Sequence, residues 1–322
     1  MPFISIIIPA PPGMKEVQSV ARARELDYPP DRVEIIVARG RQPSVQRNRA
    51  LQAANGELIY FLDDDVLPDV ENLNRMAEAF QDPKLAMLGG PNLCPSEAPL
   101  LERVFALVLG AWLAFGPSRA RYACVGSRRE TSEKELILCN LAARGSAVLD
   151  LGGFDETLYP NEENALMDGL QAGGWKLVYE PDFLAHRRPR KTLGSFARML
   201  MTYGRGRAEQ FRQHPTLGSA LNFVPPVFCI YFLCLPLALV WPWLLLPVLI
   251  YAVAVGLQVL TLLFHSGLPA LLTTPLIVMT HILYGLGFWK GLFTRLGRAK
   301  GGQPMEVTLE TSRPDSLAGV DA

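Results

Sequence analysis

Three consecutive carboxylates, Asp63, Asp64 and Asp65, directly follow the apolar run of residues 58–62. Repulsion among adjacent carboxylates is costly unless a cation or basic side chains share the site. Mg²⁺ and Mn²⁺ prefer oxygen ligands, and such ions commonly bridge protein carboxylates to the phosphates of a substrate. The triplet therefore predicts either a site for Mn²⁺ or Mg²⁺ or a solvated acidic turn that caps the following helix.

A second acidic pair, Glu162 and Glu163, stands at the predicted start of a helix, shortly after the turn of residues 152–156. A carboxylate there can act as a general base toward an incoming hydroxyl group, or it can complement the positive end of the helix dipole. Arg47 and Asn48 lie on the predicted helix before the acidic triplet, where the guanidinium can meet a diphosphate or lie on the helix surface. For each motif the sequence alone leaves the structural alternative open.

Two further candidates flank a predicted strand over residues 176–179. His186, shortly beyond this strand, is interpreted as a metal or phosphate ligand or as a structural histidine. Trp175, after two glycines, is predicted to lie in the core, with stacking on a sugar ring as the alternative.

The elements that must position these residues begin with short apolar runs, which are typical of strands buried on both faces. A helix over residues 14–27, and a second that Ser44 caps and Asn55-Gly56 ends, separate these runs. The alternation predicts an α/β domain with a parallel sheet, whose ligands bind beyond the carboxyl ends of the strands, where the acidic triplet lies. The predicted strands are 4–8, 33–37, 58–62, 85–88 and 176–179, and the further predicted helices are 70–80 and 162–171.

The second part of the chain has the composition of a membrane protein. Residues 213–289 contain no Asp, Glu, Lys or Arg, so the formal net charge of zero averages two dissimilar regions and indicates no acidic or basic partner. Three hydrophobic segments, 222–240, 243–264 and 268–289, are each about long enough to span a bilayer. Because basic residues flank this block on both sides, an even number of crossings is expected. The first segment, which prolines interrupt, is predicted to be re-entrant or interfacial.

The predicted organisation is a cytosolic domain over 1–215, a membrane domain over 216–293 and a basic, then disordered tail over 294–322. Within the first domain, residues 98–116 are predicted to lie in the membrane interface, to line a groove or to form a core helix. Residues 186–215 are a basic juxtamembrane stretch suited to anionic headgroups or phosphates. The N-terminus has no signal-peptide pattern, and the five cysteines are predicted to be reduced packing residues.

In their order and spacing these motifs resemble the family 2 glycosyltransferases, which have the GT-A fold, over nearly the whole chain. The matching residues are 4–9, Arg47-Asn48, 56–65, 152–156, Glu162-Glu163 and 179–181. Residues 203–208, followed by His214-Pro215 and a hydrophobic tail, are similar to the succinoglycan-type glucosyltransferases that build lipid-linked bacterial polysaccharides.

The resemblance implies a Rossmann-like GT-A domain with helices on both faces of a mostly parallel sheet, followed by transmembrane helices. It implies an inverting, metal-dependent transfer from a nucleotide sugar, in which Asp65 holds the metal, Glu163 is the base and Glu162 positions the acceptor or the base. The implied donor-binding residues are Pro9, Ala10, Ala38, Arg47, Asp63, Asp64 and Arg144. The implied metal ligands are Asp63, Asp65 and His186, and the implied acceptor- or phosphate-binding residues are Arg205, Arg207 and Trp175.

The chain departs from the family pattern at three positions. Pro11-Pro12 follows the first strand in place of asparagine-glutamate, Arg39 and its neighbours replace the aspartate that reads the base, and Glu163 replaces aspartate. The nucleotide base is therefore left open, with a UDP-sugar favoured over a GDP-sugar. The glutamine-arginine-tryptophan motif of processive synthases does not occur in the basic stretch, so a single sugar is expected to be added to each acceptor.

The implied partners are the nucleotide sugar, a polyprenyl-diphosphate-linked acceptor and the bacterial cytoplasmic membrane, with a multi-pass anchor, the catalytic domain facing the cytoplasm and no nucleic acid. The oligomeric state is open. A catalytically inactive relative that acts as a binding or scaffold subunit of a polysaccharide assembly complex is the competing hypothesis. A transporter is disfavoured because, in the hydrophobic block, His265 and His281 are the only residues of the kind that marks an ion pathway.

Overall fold

The structure, a computed structural model, describes residues 1–157, 161–213, 215, 217–294 and 306–314. The chain divides into two compact units. The first, called the sheet unit, consists of Met1–Leu93, Ala120–Arg187 and Arg298–Ala322. The second, called the helical unit, consists of Cys94–Arg119 and Arg188–Gly297.

Within the described residues, the sheet unit contains all the strands and five α-helices. Its strands are β1 (Ile4–Ala10), β2 (Val33–Arg39), β3 (Leu58–Leu62), β4 (Leu67–Pro68), β5 (Leu85–Gly89), β6 (Asn92–Leu93), β7 (Arg129–Glu130), β8 (Asn140–Arg144), β9 (Lys176–Tyr179), β10 (Ala185–His186) and β11 (Thr308–Ser312). Its helices are α1 (Gln18–Ala23), α2 (Pro43–Ala53), α3 (Asn72–Ala79), α6 (Gly145–Asp150) and α7 (Glu162–Ala172). The helices of the other unit are α4 (Leu100–Leu109), α5 (Trp112–Phe115), α8 (Leu193–Gln213), α9 (Val224–Cys234), α10 (Leu246–Ser266) and α11 (Thr273–Phe293).

The main sheet has the order β11-β2-β1-β3-β8-β5-β9-β7. β1 is parallel to both β2 and β3, as the alternation of strands and helices predicts. β8 instead runs antiparallel to β3 and β5, and β7 and β11 are antiparallel to their neighbours. The sheet is therefore mixed, and only part of it is parallel.

Burial on both faces explains why the strands are continuous apolar runs. In β1, Ile4, Ile6 and Ile8 belong to one buried cluster, whereas Ile7 belongs to the cluster on the other face with Phe61. Successive side chains of a strand point to opposite faces, so a strand covered on both sides needs apolar residues at every position. β3 therefore ends where its apolar residues end, and the acidic triplet begins at the next residue, Asp63.

A small second sheet lies next to the acidic triplet. Its order is β4-β10-β6, with His186 opposite Leu67 in the antiparallel pair and opposite Leu93 in the parallel pair. Because β4 starts two residues after Asp65, this pairing brings the chain that follows β10 back to the triplet.

The prediction of a disordered tail is wrong for residues 308–312. They form β11, which pairs antiparallel with β2 from Thr308 opposite Arg39 to Ser312 opposite Ile35. Arg39 Nε lies 2.6 Å from Glu310 Oε1, which adds an ion pair to the backbone hydrogen bonds. Residues 295–305 and 315–322 of the predicted tail lie outside the described residues.

Two predicted helix boundaries also need correction. α2 begins at Pro43 with Gln42 in the cap position, so Ser44 is a buried residue of the first turn and not the cap. Proline is favoured there because its missing N–H has no partner within the helix in any case. α1 covers only Gln18–Ala23, since the prolines and glycine after β1 keep residues 14–17 out of the helix.

Among the described residues, three helical segments of the helical unit are long and apolar enough to cross a membrane. They are Ala220–Leu239, Pro242–Ser266 and Leu268–Phe293, which match the three predicted segments. The first combines α9 with a short 3₁₀ helix on each side, as its prolines suggest. The predicted helix over 98–116 is broken after α4, and the two parts meet at 63°.

Glycines allow α8 and α11 to pack in direct backbone contact. A Cβ added at Gly204 would fall on the carbonyl oxygen of Tyr284, and a Cβ at Gly287 on that of Met201. Small residues that let two helix backbones approach closely are a common way to hold membrane-associated helices together.

We therefore expect Gly287→Ala to lower the melting temperature of the detergent-solubilised protein, because overpacking costs about 1–3 kcal/mol. Gly256→Ala is the matched control, since Gly256 lies in α10 with no atom within 4 Å of an added Cβ. The control should leave the melting temperature unchanged or raise it slightly. Equal effects of the two substitutions in a thermal-unfolding assay would contradict the close packing of α8 and α11.

Candidate functional site

Four ion pairs link five side chains of the sheet unit into one continuous network. Arg47 Nη2 lies 2.7 Å from Asp63 Oδ1, and Arg47 Nη1 lies 3.4 Å from Glu162 Oε1. Arg187 Nη1 lies 2.9 Å from Asp63 Oδ2, and Arg187 Nε lies 2.8 Å from Asp65 Oδ1. The acidic triplet and the acidic pair of α7 therefore belong to one site.

Neighbouring residues of α2 serve the two sides of this site. Arg47 is only 4% exposed, which excludes the alternative of an ordinary surface arginine. Asn48 Oδ1 accepts a hydrogen bond from the backbone N–H of Phe154, and its amide nitrogen donates to the Phe154 carbonyl and to Glu156. Asn48 thus fixes the turn that leads to α7, while Arg47 reaches the carboxylates.

The start of α7 is held in an unusual backbone conformation. Asn161, which precedes the helix, has a φ of 99°, in the left-handed region that asparagine tolerates better than most residues. Its side-chain oxygen accepts a hydrogen bond of 2.9 Å from the Asn164 amide. Non-glycine residues in this region cluster at functional sites, where the surrounding structure must hold them.

Burial and charge tune the carboxylates of the site in opposite directions. Burial alone would raise the pKa of Asp63, but Arg187 and Arg47 outweigh it and lower that pKa. Burial, followed by the charges of Asp65 and Asp63, raises the pKa of Asp64. For Glu162, burial and the charge of Glu163 raise the pKa to about 7, against the opposing effect of Arg47. Asp63 is therefore held ionised, and Glu162 changes its charge near neutral pH.

The carboxylates fit a divalent ion only in part. No group of three or more His, Cys, Asp or Glu side chains within the described ranges is arranged to hold a metal ion, so Asp63, Asp65 and His186 are not assembled as a ligand set. Both oxygens of Asp63 are engaged by arginines, whereas the Asp65 side chain is 50% exposed. Mg²⁺ usually keeps waters and binds through one or two carboxylates together with substrate phosphates. Asp65, which is half-exposed, is the carboxylate of the triplet that is accessible to such an ion.

The predicted donor-binding residues Pro9, Ala10 and Ala38 lie together at the carboxyl ends of β1 and β2, where Pro9 is opposite Ala38. Gln46 binds both strands, because its amide nitrogen donates to the carbonyls of Ala10 at 2.9 Å and Ala38 at 2.5 Å. Arg39 Nη1 donates to the Met14 carbonyl at 2.6 Å and so holds the loop that follows β1.

Two predicted ligand-binding residues are at the wrong edge of the sheet. Arg144 is opposite Leu58, at the start of β3 rather than at its acidic end, and donates to the backbone carbonyls of residues 80, 82 and 85. Trp175 precedes β9 and packs against the buried cluster on the α7 face, as its core interpretation predicts. The proposed donor role of Arg144 and the sugar-stacking role of Trp175 are therefore corrected.

Arg205 and Arg207 lie on α8 of the helical unit, where Arg205 pairs with Glu209 at 3.4 Å and Arg207 donates to Gln210 at 3.2 Å. Their acceptor- or phosphate-binding role stays a prediction.

Sequence reasoning missed Gln46 and Arg187. Gln46 is a polar residue in the first turn of a helix, where glutamine is usually exposed. No local sequence pattern indicates that its amide lies between two strands. Arg187 is one of several arginines in a basic stretch, and only the pairing of β10 with β4 distinguishes it. The neighbouring Arg188 instead binds Glu102 of the helical unit through two contacts of 2.6 and 2.7 Å.

We expect the effect of Glu162→Gln on stability to be more favourable at pH 8.5 than at pH 5.5. The pKa of Glu162 in the folded protein is about 7, above its ordinary value of 4.5. Stability is therefore lost as the pH rises from about 4.5 to about 7, where the unfolded chain has released this proton and the folded protein still holds it, and the amide does not suffer this loss. Below pH 5.5 the folded wild-type protein already carries a neutral carboxyl group. The measurement is the melting temperature of both proteins at the two pH values. Glu78→Gln, on the exposed side of α3, is the control, and a shift that is the same at both pH values would contradict the assignment.

Comparisons with known proteins are consistent with this arrangement. A family model described as glycosyl transferase family 2 matches residues 16–106, a range that contains Arg47 and the acidic triplet. Two curated relatives, both named pre-mycofactocin glycosyltransferase, come from Mycobacterium tuberculosis strains CDC 1551 and H37Rv. Each is 29% identical over 184 residues, which cover 54% of this chain and 36% of the relative. The chain thus spans little more than a third of the length of these relatives.

Among solved structures, the mannosyltransferase PcManGT from Pyrobaculum calidifontis in complex with GDP-Man and Mn²⁺ has the same fold. The TM-score is 0.54 at 17% identity, over 91% of this chain and 87% of that chain. At this identity the likeness concerns the fold and not the ligands. With the family match and the site at the end of β3, it leads to one conclusion: residues 16–106 are similar to glycosyl transferase family 2, and the chain has the GT-A fold.

Proposed function

We propose that this protein is a membrane-associated glycosyltransferase that moves one sugar from a nucleotide-sugar donor to the hydroxyl group of a membrane-borne acceptor. The observation that carries the proposal is the position of Arg47, which contacts both the acidic triplet through Asp63 and the α7 carboxylates through Glu162. Arg47 thereby holds two sets of carboxylates at one edge of the sheet. The acidic triplet would serve the diphosphate of the donor, and the α7 carboxylates would serve the hydroxyl group of the acceptor.

The donor side consists of the acidic triplet and the ends of β1 and β2. Asp64 and Asp65 would hold Mn²⁺ or Mg²⁺ together with the diphosphate, and the bound ion would neutralise the charge that develops on the leaving group. Asp63 is committed to Arg47 and Arg187, so it orients these two arginines. A guanidinium at this place favours a phosphate-bearing ligand electrostatically. The donor is a uridine or guanosine diphosphate sugar, with uridine favoured.

The acceptor side consists of the first residues of α7. Glu163 is partly exposed and adjacent to the buried Glu162, so it is the carboxylate that an acceptor hydroxyl can reach. Its role is to take the hydroxyl proton as the oxygen attacks the anomeric carbon from the side opposite the diphosphate, which inverts that centre. Glu162, held by Arg47, positions Glu163 or the acceptor.

The helical unit supports a membrane-borne acceptor. Its three apolar segments suit a membrane-bound enzyme, and a substrate carried by a lipid diphosphate would stay at the surface of that membrane. The basic residues of α8 suit the phosphates of such a lipid or of anionic headgroups.

A second candidate function is a non-catalytic binding or scaffold subunit. It is supported by the engagement of both Asp63 oxygens by arginines and by the incomplete metal-ligand set within the described part of the chain.

The two functions are distinguished by assays of the full-length protein in detergent with uridine and guanosine diphosphate sugars and Mn²⁺. For an enzyme, Asp65→Ala should weaken donor binding, because the diphosphate loses the ion that this carboxylate shares. Glu163→Gln should retain donor binding and lower kcat by about 10²- to 10⁴-fold, the usual contribution of a general base. Glu78→Gln is the control and should change neither quantity.

Donor binding without turnover by the wild-type protein, even with added membrane lipid extract, would favour the scaffold. Failure to bind any nucleotide or nucleotide sugar would exclude the transferase. Turnover that survives in Glu163→Gln but is lost in Glu162→Gln would move the base to Glu162.

A further inference from the structure

Two strands that pair with each other in the main sheet lie on either side of the apolar helices in the sequence. β2 ends at Arg39 and β11 begins at Thr308, and the whole helical unit comes between them. Five consecutive residues of β11 are in register with β2. The chain therefore leaves the sheet unit, forms the apolar helices and returns to the same sheet.

The strand in which the chain returns, β11, packs into the sheet unit. Val307 and Leu309 pack against the buried cluster that contains Ile36 and Ala38. Glu310 forms the 2.6 Å ion pair with Arg39, whose guanidinium also binds the loop after β1. Backbone pairing, apolar packing and an ion pair together hold β11 at the edge of the main sheet.

From this return we infer that the chain crosses the membrane twice, and that the C-terminal strand lies on the same side as the N-terminal domain. The inference rests on the membrane association proposed above. Strands joined by hydrogen bonds cannot lie on opposite sides of a bilayer, because the lipid core offers no partner for separated backbone groups. The number of crossings between Arg187 and Thr308 must then be even, so three spanning segments are excluded.

The same rule applies to the shorter excursion over residues 94–119. Leu93 and Ala120, which flank it, both belong to the sheet unit. α4 and the helical residues after it must therefore enter and leave on one side, which agrees with the 63° bend between them. This pair is not a single crossing.

The lengths of the uninterrupted helices indicate which two segments cross the membrane. α10 and α11 are each uninterrupted over 21 residues, or about 31 Å at 1.5 Å per residue, close to the roughly 30 Å thickness of a hydrocarbon core. α9 has 11 residues, about 16 Å, and prolines mark its start and the 3₁₀ helix after it. The segment Ala220–Leu239 is thus the one that does not cross.

The test is the side on which single cysteines react with a membrane-impermeant maleimide in sealed vesicles of both orientations. The background is the full-length chain with its five native cysteines replaced by alanine, with glycosyl transfer measured in every variant. Gln52→Cys reports the sheet unit and Thr311→Cys reports β11, both at exposed positions. Val240→Cys and Ser266→Cys report the turns before and after α10. Permeabilised vesicles, in which all four must react, are the control.

We expect the cysteines at 52, 240 and 311 to react in the same vesicle orientation. The cysteine at 266 should react only in the opposite orientation. Reaction of positions 52 and 311 in opposite orientations would overturn the even number of crossings. Reaction of position 240 alone from the other side would overturn the choice of α10 and α11, and reaction of all four from one side would overturn any crossing. Each negative result in a variant that still transfers sugar leaves the proposed function standing, so the two failures are distinguishable.

Discussion

A buried guanidinium shared by two carboxylates is the interaction on which the site depends. Arg47 lies between Asp63, at the end of β3, and Glu162, at the start of α7, and both Arg47 and Glu162 are almost completely buried. Removing one partner from such a set leaves an uncompensated buried charge, which typically costs about 3–5 kcal/mol. The three elements are therefore fixed relative to one another more strictly than hydrophobic packing alone requires, since apolar contacts tolerate small shifts and a desolvated ion pair does not. The same charges that constrain the geometry also set the protonation of the carboxylates.

Local sequence patterns were sufficient for the elements that carry the triplet and the acidic pair. β3 and β9 have the predicted bounds, and α7 differs from its prediction by one residue, because apolar runs bounded by glycine, proline or charged residues report burial directly. The error over Arg144 has its cause in strand direction. A wholly parallel sheet would put the ends of all strands at one edge, whereas β8 runs antiparallel to β3 and carries Arg144 to the other edge. Strand direction depends on partners distant in sequence, which periodicity does not report.

Non-local pairing also explains why Arg187 and β11 were not predicted. Arg187 reaches Asp63 and Asp65 because a two-residue strand pairs with another two-residue strand, and such short strands have no periodicity to read. β11 consists of polar and apolar residues in a region with the composition of a disordered tail. It is ordered by pairing with the free backbone edge of β2. Because this pairing uses main-chain hydrogen bonds, it depends only weakly on which side chains the added strand carries.

The position of β11 in the sequence has a consequence for biosynthesis. Its ion pair to β2 joins residues 271 positions apart, so the ribosome makes the entire apolar region before the last strand exists. Contacts this distant form late and slowly, because the closure of a long loop must precede them. Until then the nascent domain carries β2 as an open edge, the kind of surface through which partly folded chains pair with one another. If the apolar segments insert as proposed, β11 joins the sheet only after they have been made, and a delay in insertion prolongs the period in which the edge of β2 stays open.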